Sequence, residues 1–263
     1  MTALPRFVGS LASLALMAAV LPAAAQGAAQ NHPCVAPAEL TRLEQPLKRT
    51  SQRLAAGLAI TIVAIGSSST EGAGASSPAR SYPSRLEAEF KAIYPRAQVR
   101  VVNRGIGGET MRDMLARFDS EVFSEKPDLV VWQVGSNSVL RGQPVGPSIE
   151  MLIDGLNRIR SAGVDPILMN PQYAPKVIDK QDANRMVDMI DATARQARAG
   201  LFQRFAVMRY WRLTEDIPFS TFLSPDELHM NDWSYGCIGK LLAEAVAEAA
   251  TRQTLTATVR TRR

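Results

Sequence analysis

His229 is one of only two histidines in the chain, and Asp226 stands three residues before it. Imidazole accepts a proton near neutral pH without any perturbation, and a serine hydroxyl needs such a base before it can attack an acyl carbon. An aspartate at this spacing can fold back and accept the proton of the other ring nitrogen. The pair predicts a general base, with an ordinary surface loop as the alternative. The second histidine, His32, lies in a short polar stretch near the N-terminus that offers little to hold it.

A cluster of small residues after a short apolar run supplies a candidate nucleophile. Residues 62–65 form the apolar run, Gly66 ends it, and Ser68 follows two residues later. A serine just past the end of a strand is exposed on a rigid support, so we interpret residues 66–70 as a nucleophile turn. The alternatives are a serine-rich loop without chemistry and a phosphate-binding turn. The second is disfavoured because no lysine follows, as it does in nucleotide-binding loops.

Two further apolar runs end in groups that acyl transfer requires. After residues 99–102 comes a glycine-rich string, in which the backbone N–H of Gly108 can approach a ligand closely. After residues 129–132 comes Asn137, whose side-chain amide can donate at the same edge of a sheet. With the N–H of Ser68 they make three donors for a developing oxyanion, each worth about 3 kcal/mol in the transition state. Taken singly, such residues usually form only a bend or an Asx-turn.

The order of these residues resembles the four sequence blocks of the SGNH (GDSL-type) hydrolase family. The resemblance runs over residues 60–249. It implies that Ser68 is the nucleophile and the first oxyanion donor. Gly108 and Asn137 are then the other donors, and Asp226 and His229 complete a catalytic triad. Within the family the substrates include O-acetylated sugars, phospholipids, thioesters and aryl esters, and the chemistry needs no cofactor.

The first block departs from the Gly-Asp-Ser-Leu string that names the family. Ser67 stands where the family has aspartate, and Ser69 stands where it has leucine. The position of the nucleophile is unchanged. The acidic side chain that usually supports this turn in the family is absent here.

Helices and strands alternate along the chain and would bring these residues together. An amphipathic segment at residues 38–56 comes first. We predict helices at residues 84–93, 111–123, 148–160, 183–199 and 235–250, and strands at residues 60–65, 99–102, 129–134, 166–169 and 205–210. Continuous apolar strands separated by helices indicate a parallel sheet buried on both faces. The prediction is a three-layer α/β/α fold with a five-stranded parallel sheet, flavodoxin-like as in SGNH hydrolases. Ligands bind at the carboxyl ends of such strands, where Ser68, Gly108 and Asn137 fall.

The N-terminus has the pattern of a secretory signal peptide. Arg6 precedes an apolar stretch at residues 7–21, and small residues follow up to Ala25, the predicted cleavage position. An uncleaved anchor is the lesser alternative, because the stretch is short for a membrane span. We therefore expect an exported protein, periplasmic or secreted, without a transmembrane segment in the mature chain. The predicted divisions are a signal peptide at 1–25, an arm and helix at 26–57, an SGNH hydrolase domain at 58–252 and a basic tail at 253–263.

Composition narrows the class of partner. A chain of 263 residues with 46% hydrophobic residues fits one globular α/β domain. The formal net charge falls from +5 to +4 when Arg6 leaves with the signal peptide. The basic residues are interspersed and aromatic residues make up only 6%, so we expect no nucleic-acid partner. Nothing in the sequence indicates an oligomeric state.

Export changes how the two cysteines are interpreted. In an oxidising compartment Cys34 and Cys237 can form a disulfide between the N-terminal arm and the body. The sequence does not show that they come within bridging distance, so two free thiols remain the alternative. Zinc is disfavoured because neither cysteine has a second sulfur nearby, and we expect no metal and no cofactor.

Three residues are weaker candidates for substrate binding. Gln172 and Tyr173 follow the fourth predicted strand at the expected edge of the sheet, where they either line the pocket or shape a loop. Trp233, close after His229, would wall an acyl site or cap the core. None of the three has a spacing that distinguishes the two roles.

Together these residues and patterns favour an exported serine esterase that acts through an acyl-enzyme. Its substrate would be a small-molecule or glycan ester, with O-acetyl groups on a cell-envelope glycan preferred. Two alternatives keep the same fold. One is an acyltransferase that moves the acyl group to a sugar hydroxyl, and the other is a non-catalytic envelope binding protein.

Overall fold

A parallel sheet of five strands forms the centre of the structure, a computed structural model that describes residues 32–260 and their side chains up to residue 252. The strands are β1 Ile60–Gly66, β2 Val99–Gly105, β3 Leu129–Gln133, β4 Asp165–Met169 and β5 Gly200–Phe202. They lie in the order β2-β1-β3-β4-β5, and every pairing is parallel. This is the flavodoxin-like order, whose switch point lies beside β1. The predicted fold class is confirmed.

Helices cover both faces of the sheet. The eight-residue and longer helices are α2 Lys48–Ala55, α4 Tyr82–Ile93, α7 Gly146–Ser161, α9 Ala183–Gln196, α10 Arg204–Leu213 and α12 Asp232–Arg260. The shorter helices are α1 Ala38–Thr41, α3 Ser68–Glu71, α5 Met111–Ala116, α6 Ser136–Leu140, α8 Pro175–Ile178 and α11 Phe219–Phe222. One layer joins α2, α4 and α12, and the other joins α5, α7 and α9. All five residues of β3 are buried between them, as expected for a central parallel strand.

The prediction of the fifth strand is wrong. Residues 205–210 belong to helix α10, and the edge strand β5 is the preceding segment, Gly200–Phe202. The apolar residues of this segment have helical spacing, because Phe205, Met208 and Trp211 follow one another at intervals of three and are all buried. A short apolar run does not by itself distinguish a buried strand from a buried helix.

Other differences concern where elements begin and end. The amphipathic segment at residues 38–56 is two helices, with Pro46 between them. The helix predicted at residues 111–123 ends at Ala116 and continues as a π turn, Phe118–Val122. The last helix continues to Arg260, so the boundary predicted at residue 252 falls inside it. The predicted signal peptide and residues 261–263 of the predicted tail lie outside the described residues. Within the described part, no helix combines the length and apolar character of a membrane span.

The N-terminal arm is attached to the body by a disulfide and by two indole rings. The Cα atoms of Cys34 and Cys237 are 5.3 Å apart, and their sulfur atoms are joined. Indole Nε1 of Trp211 donates to the carbonyl of Val35 over 2.9 Å, and Nε1 of Trp233 donates to the carbonyl of His32 over 3.3 Å. The arm is therefore part of the folded unit.

Removal of the disulfide should destabilise the fold. We expect the double variant Cys34→Ser, Cys237→Ser to lose about 2–4 kcal/mol of free energy of unfolding, because a bridge between distant residues restricts the unfolded chain. The two cysteines are separated by 203 positions. Chemical denaturation of the variant and the unreduced wild-type protein measures the difference. Two cysteines that react with an alkylating reagent in unreduced protein from an oxidising compartment would contradict the bridge.

Candidate active site

The structure brings the candidate nucleophile and the candidate base into contact. Oγ of Ser68, at the start of α3, lies 2.9 Å from Nε2 of His229. Nδ1 of the same ring lies 2.5 Å from Oδ2 of Asp226. A continuous hydrogen-bonded path therefore runs from the carboxylate through the imidazole to the hydroxyl, which is the geometry required for transfer of the serine proton.

The loop that carries Asp226 and His229 is held by its own backbone. An isolated bridge pairs Leu223 with Met230, and the loop between them includes both catalytic candidates. Oδ1 of Asp226 accepts hydrogen bonds from the backbone N–H groups of Leu228, over 3.0 Å, and His229, over 2.9 Å. Burial alone would raise the pKa of Asp226, but the hydrogen bonds from the ring and backbone of His229 and from Leu228 outweigh burial and lower the pKa to about 2. The carboxylate therefore stays ionised and orients the ring at neutral pH.

Helix α3, which follows β1, packs closely against the end of β2 because Gly105 has no side chain. A Cβ added at Gly105 would lie 2.0 Å from the backbone nitrogen of Glu71, so any other residue would push α3 away from β2. Gly108, in the loop after β2, has φ of +80°, a conformation that favours glycine. Among the described residues, no acceptor forms a hydrogen bond with the backbone N–H of Gly108 or of Ser68. Both groups can therefore donate to a ligand.

Asn137 lies at the start of α6 and reaches the loop after β2. Its Nδ2 donates to the carbonyl of Glu109 over 2.8 Å, which leaves the second N–H of the amide for a ligand. Nη2 of Arg141 donates to the carbonyl of Gly108 over 2.6 Å. Two side chains from α6 and its C-terminal end thus fix the loop that presents Gly108. The structure brings Ser68, Gly108 and Asn137 to one edge of the sheet.

A neutral amide supports the nucleophile turn where the SGNH pattern has an aspartate. Oε1 of Gln133 accepts hydrogen bonds from the backbone N–H of Ser67, over 2.9 Å, and from its hydroxyl, over 3.0 Å. Gln133 lies in the central strand β3 and is buried. Gln133 is not identified as part of the site in the sequence analysis above. A glutamine inside an apolar strand was the available signal, because buried amides need hydrogen-bond partners.

The three weaker candidates for substrate binding have different surroundings in the structure. Gln172 is only 2% exposed and bonds to buried neighbours, so the prediction that it contacts substrate is wrong. Trp233 packs edge-on against Trp211, with ring centroids 5.0 Å apart, and donates to the N-terminal arm, which agrees with the alternative that it caps the core. Tyr173 is half-buried and lines a cleft of about 760 Å³ together with Phe205 and Tyr210. This cleft is not lined by any triad residue, so Tyr173 stays a candidate only for a part of the substrate remote from the reacting bond.

No metal site accompanies the candidate triad in the part of the chain that the structure describes. Over those residues, no group of three or more histidine, cysteine, aspartate or glutamate side chains has an arrangement that could hold an ion.

Comparison with known proteins shows the family of this chain. Over residues 33–252 the sequence matches the model of the Non-GDSL lipase-like family. The chain belongs to this family. Over a stretch of 52 residues it is 46% identical to an acetylxylan esterase of Geobacillus stearothermophilus, covering 20% of this chain and 24% of the relative. It is 34% identical over 84 residues to the esterase TesA of Pseudomonas aeruginosa, covering 30% of this chain and 42% of the relative. The chain thus spans less than half the length of these two relatives.

Solved structures of esterases share the fold of this family member. A two-domain esterase described as active on acetylated mannans superposes with a TM-score of 0.69 at 18% identity, over 80% of this chain and 56% of that protein. The crystal structure of TesA superposes with a TM-score of 0.60 at 21% identity, over 72% of this chain and 99% of that protein. These likenesses show the fold and leave the activity to be argued from the site.

Proposed function

We propose that this protein is an SGNH-type serine esterase that hydrolyses carboxylic esters through an acyl-enzyme. The observation that carries the proposal is the path from Asp226 through His229 to Ser68, with distances of 2.5 Å and 2.9 Å. Membership of a lipase-like family and sequence similarity to proteins named as esterases support the same activity.

The proposed reaction has two halves that use the same groups. His229 accepts the proton of Ser68 while Oγ attacks the ester carbonyl carbon, and the carbonyl oxygen becomes an oxyanion. The N–H groups of Ser68 and Gly108 and the free amide N–H of Asn137 donate to that oxyanion. Collapse breaks the ester bond, and the alcohol leaves with the proton from His229. Water, deprotonated by His229, then attacks the acyl-enzyme and releases the carboxylic acid and Ser68.

The proposed substrate is an acetyl ester on a glycan outside the cytoplasm. Two observations support a short acyl group on a sugar: the similarity to an acetylxylan esterase and the shared fold with an esterase described as active on acetylated mannans. The signal-peptide pattern at residues 1–25 supports export. Release of acetate from acetylated xylan and mannan oligosaccharides, compared with p-nitrophenyl acetate, measures this preference.

Covalent trapping of the nucleophile tests the proposed chemistry. We expect the protein to hydrolyse p-nitrophenyl acetate and to lose this activity on treatment with diisopropyl fluorophosphate. Oγ of Ser68 forms a bond to phosphorus while fluoride leaves, so peptide mass spectrometry should find the adduct on the peptide that contains Ser68. The Ser68→Ala variant, which lacks the attacking oxygen, is the control and should carry no adduct there. An adduct on another residue, or none in a folded and active protein, would remove Ser68 from the mechanism.

A further inference from the structure

Arg204, the first residue of α10, is a buried cation without a counter-ion. Its side chain is fully buried, and no described residue forms an ion pair with it. Burial lowers the pKa of the guanidinium to about 10, so it remains protonated at neutral pH. An unpaired charge in the interior is costly, and arginine is rarely buried to this extent without a carboxylate. Packing alone does not account for an arginine at this position.

The ionisable groups around Arg204 do not neutralise it. Tyr82 of α4 and Tyr235 of α12 are the groups that interact electrostatically with the guanidinium. Burial raises the pKa of Tyr82 to about 12 and the pKa of Tyr235 further, so both phenols are neutral. Asp226 and Glu71 are the carboxylates whose charges act on Tyr235. Of these two carboxylates, Asp226 belongs to the candidate triad.

The guanidinium donates to three separate parts of the chain. Nη1 donates to the hydroxyl of Ser69 over 2.9 Å, and Nη2 donates to Oε1 of Gln172 over 3.0 Å. Nε donates to the backbone carbonyl of Asn170, just past the end of β4, over 3.1 Å. All three bonds are buried. The first bond holds the residue directly after Ser68.

Gln172, which accepts a hydrogen bond from Arg204, also contacts the chain next to His229 and the chain next to Asn137. Its Nε2 donates to the carbonyl of Leu228 over 3.2 Å, and Leu228 directly precedes His229. Its Oε1 also accepts from the hydroxyl of Ser136 over 2.8 Å, and Ser136 directly precedes Asn137. Arg204 is thus connected, directly or through one glutamine, to the chain neighbours of the nucleophile, the base and the third oxyanion donor.

We propose that Arg204 is a positioning residue of the active site, which holds these three groups in register and favours the negative charge that develops at the oxyanion. The proposal rests on the proposed function. A fixed charge in a water-poor interior acts over a longer range than in solvent, and it needs no reorganisation during the reaction. Correct mutual placement of nucleophile and base lowers the barrier further. The guanidinium does not itself contact substrate.

Two substitutions separate the charge of Arg204 from its bulk. Arg204→Met keeps similar volume but removes the charge and all three hydrogen bonds, and we expect kcat for p-nitrophenyl acetate to fall about 100-fold with KM changed little. Arg204→Lys keeps the charge and loses the planar set of donors, so it should recover part of the lost kcat. The rate of inactivation by diisopropyl fluorophosphate should be highest for the wild-type protein, lower for Arg204→Lys and lowest for Arg204→Met.

The pH profile provides a readout that a purely structural role would not change. Loss of a positive charge makes protonation of a nearby imidazole easier. We therefore expect the acidic limb of the kcat/KM profile to move to higher pH in Arg204→Met and to stay in place in Arg204→Lys. Gln172→Glu should move the limb in the same direction, because it introduces a counter-ion beside Arg204 while preserving the shape of the side chain. If Arg204→Met fails to fold, the pH profile of Gln172→Glu tests the proposal instead.

A control substitution at Arg158 and the labelling of Ser68 distinguish failure of this proposal from failure of the proposed function. Arg158 of α7 donates to the carbonyl of Leu115 over 2.9 Å and pairs with Asp119 over 3.1 Å, outside the contacts just described. Arg158→Met should leave kcat and the acidic limb unchanged. If the wild-type protein is not labelled at Ser68, the proposed function fails. If it is labelled, and Arg204→Met or Gln172→Glu shows wild-type kcat and an unmoved limb, the role of Arg204 is refuted while the esterase stands.

Discussion

His229→Ala should lower kcat for p-nitrophenyl acetate by about 10⁴-fold or more, because it removes the base that is hydrogen-bonded to the hydroxyl of Ser68. The histidine lies in the loop between Leu223 and Met230 and does not belong to the apolar core, so the fold should persist. Circular dichroism and thermal unfolding check the fold, and steady-state kinetics measure the loss. A folded His229→Ala protein with near wild-type turnover would end the assignment of the base.

The same histidine should set the pH dependence of the wild-type enzyme. A protonated imidazole cannot accept the serine proton, so activity should fall as the pH drops from about 8 to about 5. The hydrogen bonds from His229 and Leu228 lower the pKa of Asp226 to about 2, so this carboxylate stays ionised well below that range and does not account for the fall. Asp226→Ala should cost less than His229→Ala, because the aspartate orients the ring and does not itself take the proton. A flat profile between pH 5 and about pH 8 would contradict the role of His229.

Asn137→Ala is expected to reduce kcat by about 10²–10³-fold with KM little changed. The hydrogen bond from an oxyanion donor strengthens as charge develops on the carbonyl oxygen, so its loss is felt in the transition state more than in the bound substrate. A binding protein on the same fold would use the amide for ground-state recognition. In that case the substitution would weaken ligand affinity alone.

A second variant separates donation to the oxyanion from support of the loop after β2. Asn137 also donates to the carbonyl of Glu109 over 2.8 Å, so its removal loosens that loop. Arg141→Met removes a different bond to the same loop, the 2.6 Å contact with the carbonyl of Gly108, and keeps the Asn137 amide. We expect a much smaller loss of kcat in Arg141→Met. Equal losses in the two variants, or a rise in KM alone for Asn137→Ala, would move the donor role away from Asn137.

The residues that meet at the candidate site could be predicted from the sequence. Ser68, Gly108 and Asn137 each follow an apolar run, and runs that form adjacent parallel strands bring their carboxyl ends to one edge. Asp226 and His229 are three positions apart, so a single turn of chain is enough to bring them into contact. Strand ends and residue spacing are short-range features of the sequence. They can therefore be recognised without knowledge of the tertiary contacts.

The polar residues that support the site could not be predicted without the three-dimensional contacts. Arg204 and Ser69 are 135 positions apart, and Gln133 and Ser67 are 66 positions apart. Gln172 has the same kind of position after a strand as Asn137, yet its side chain is buried and accepts a hydrogen bond from Arg204. The short apolar run at residues 205–210 was also mistaken for a strand, and the structure places it in helix α10. Burial and hydrogen-bond partners depend on elements that are remote in sequence, and no local pattern records which of them will meet.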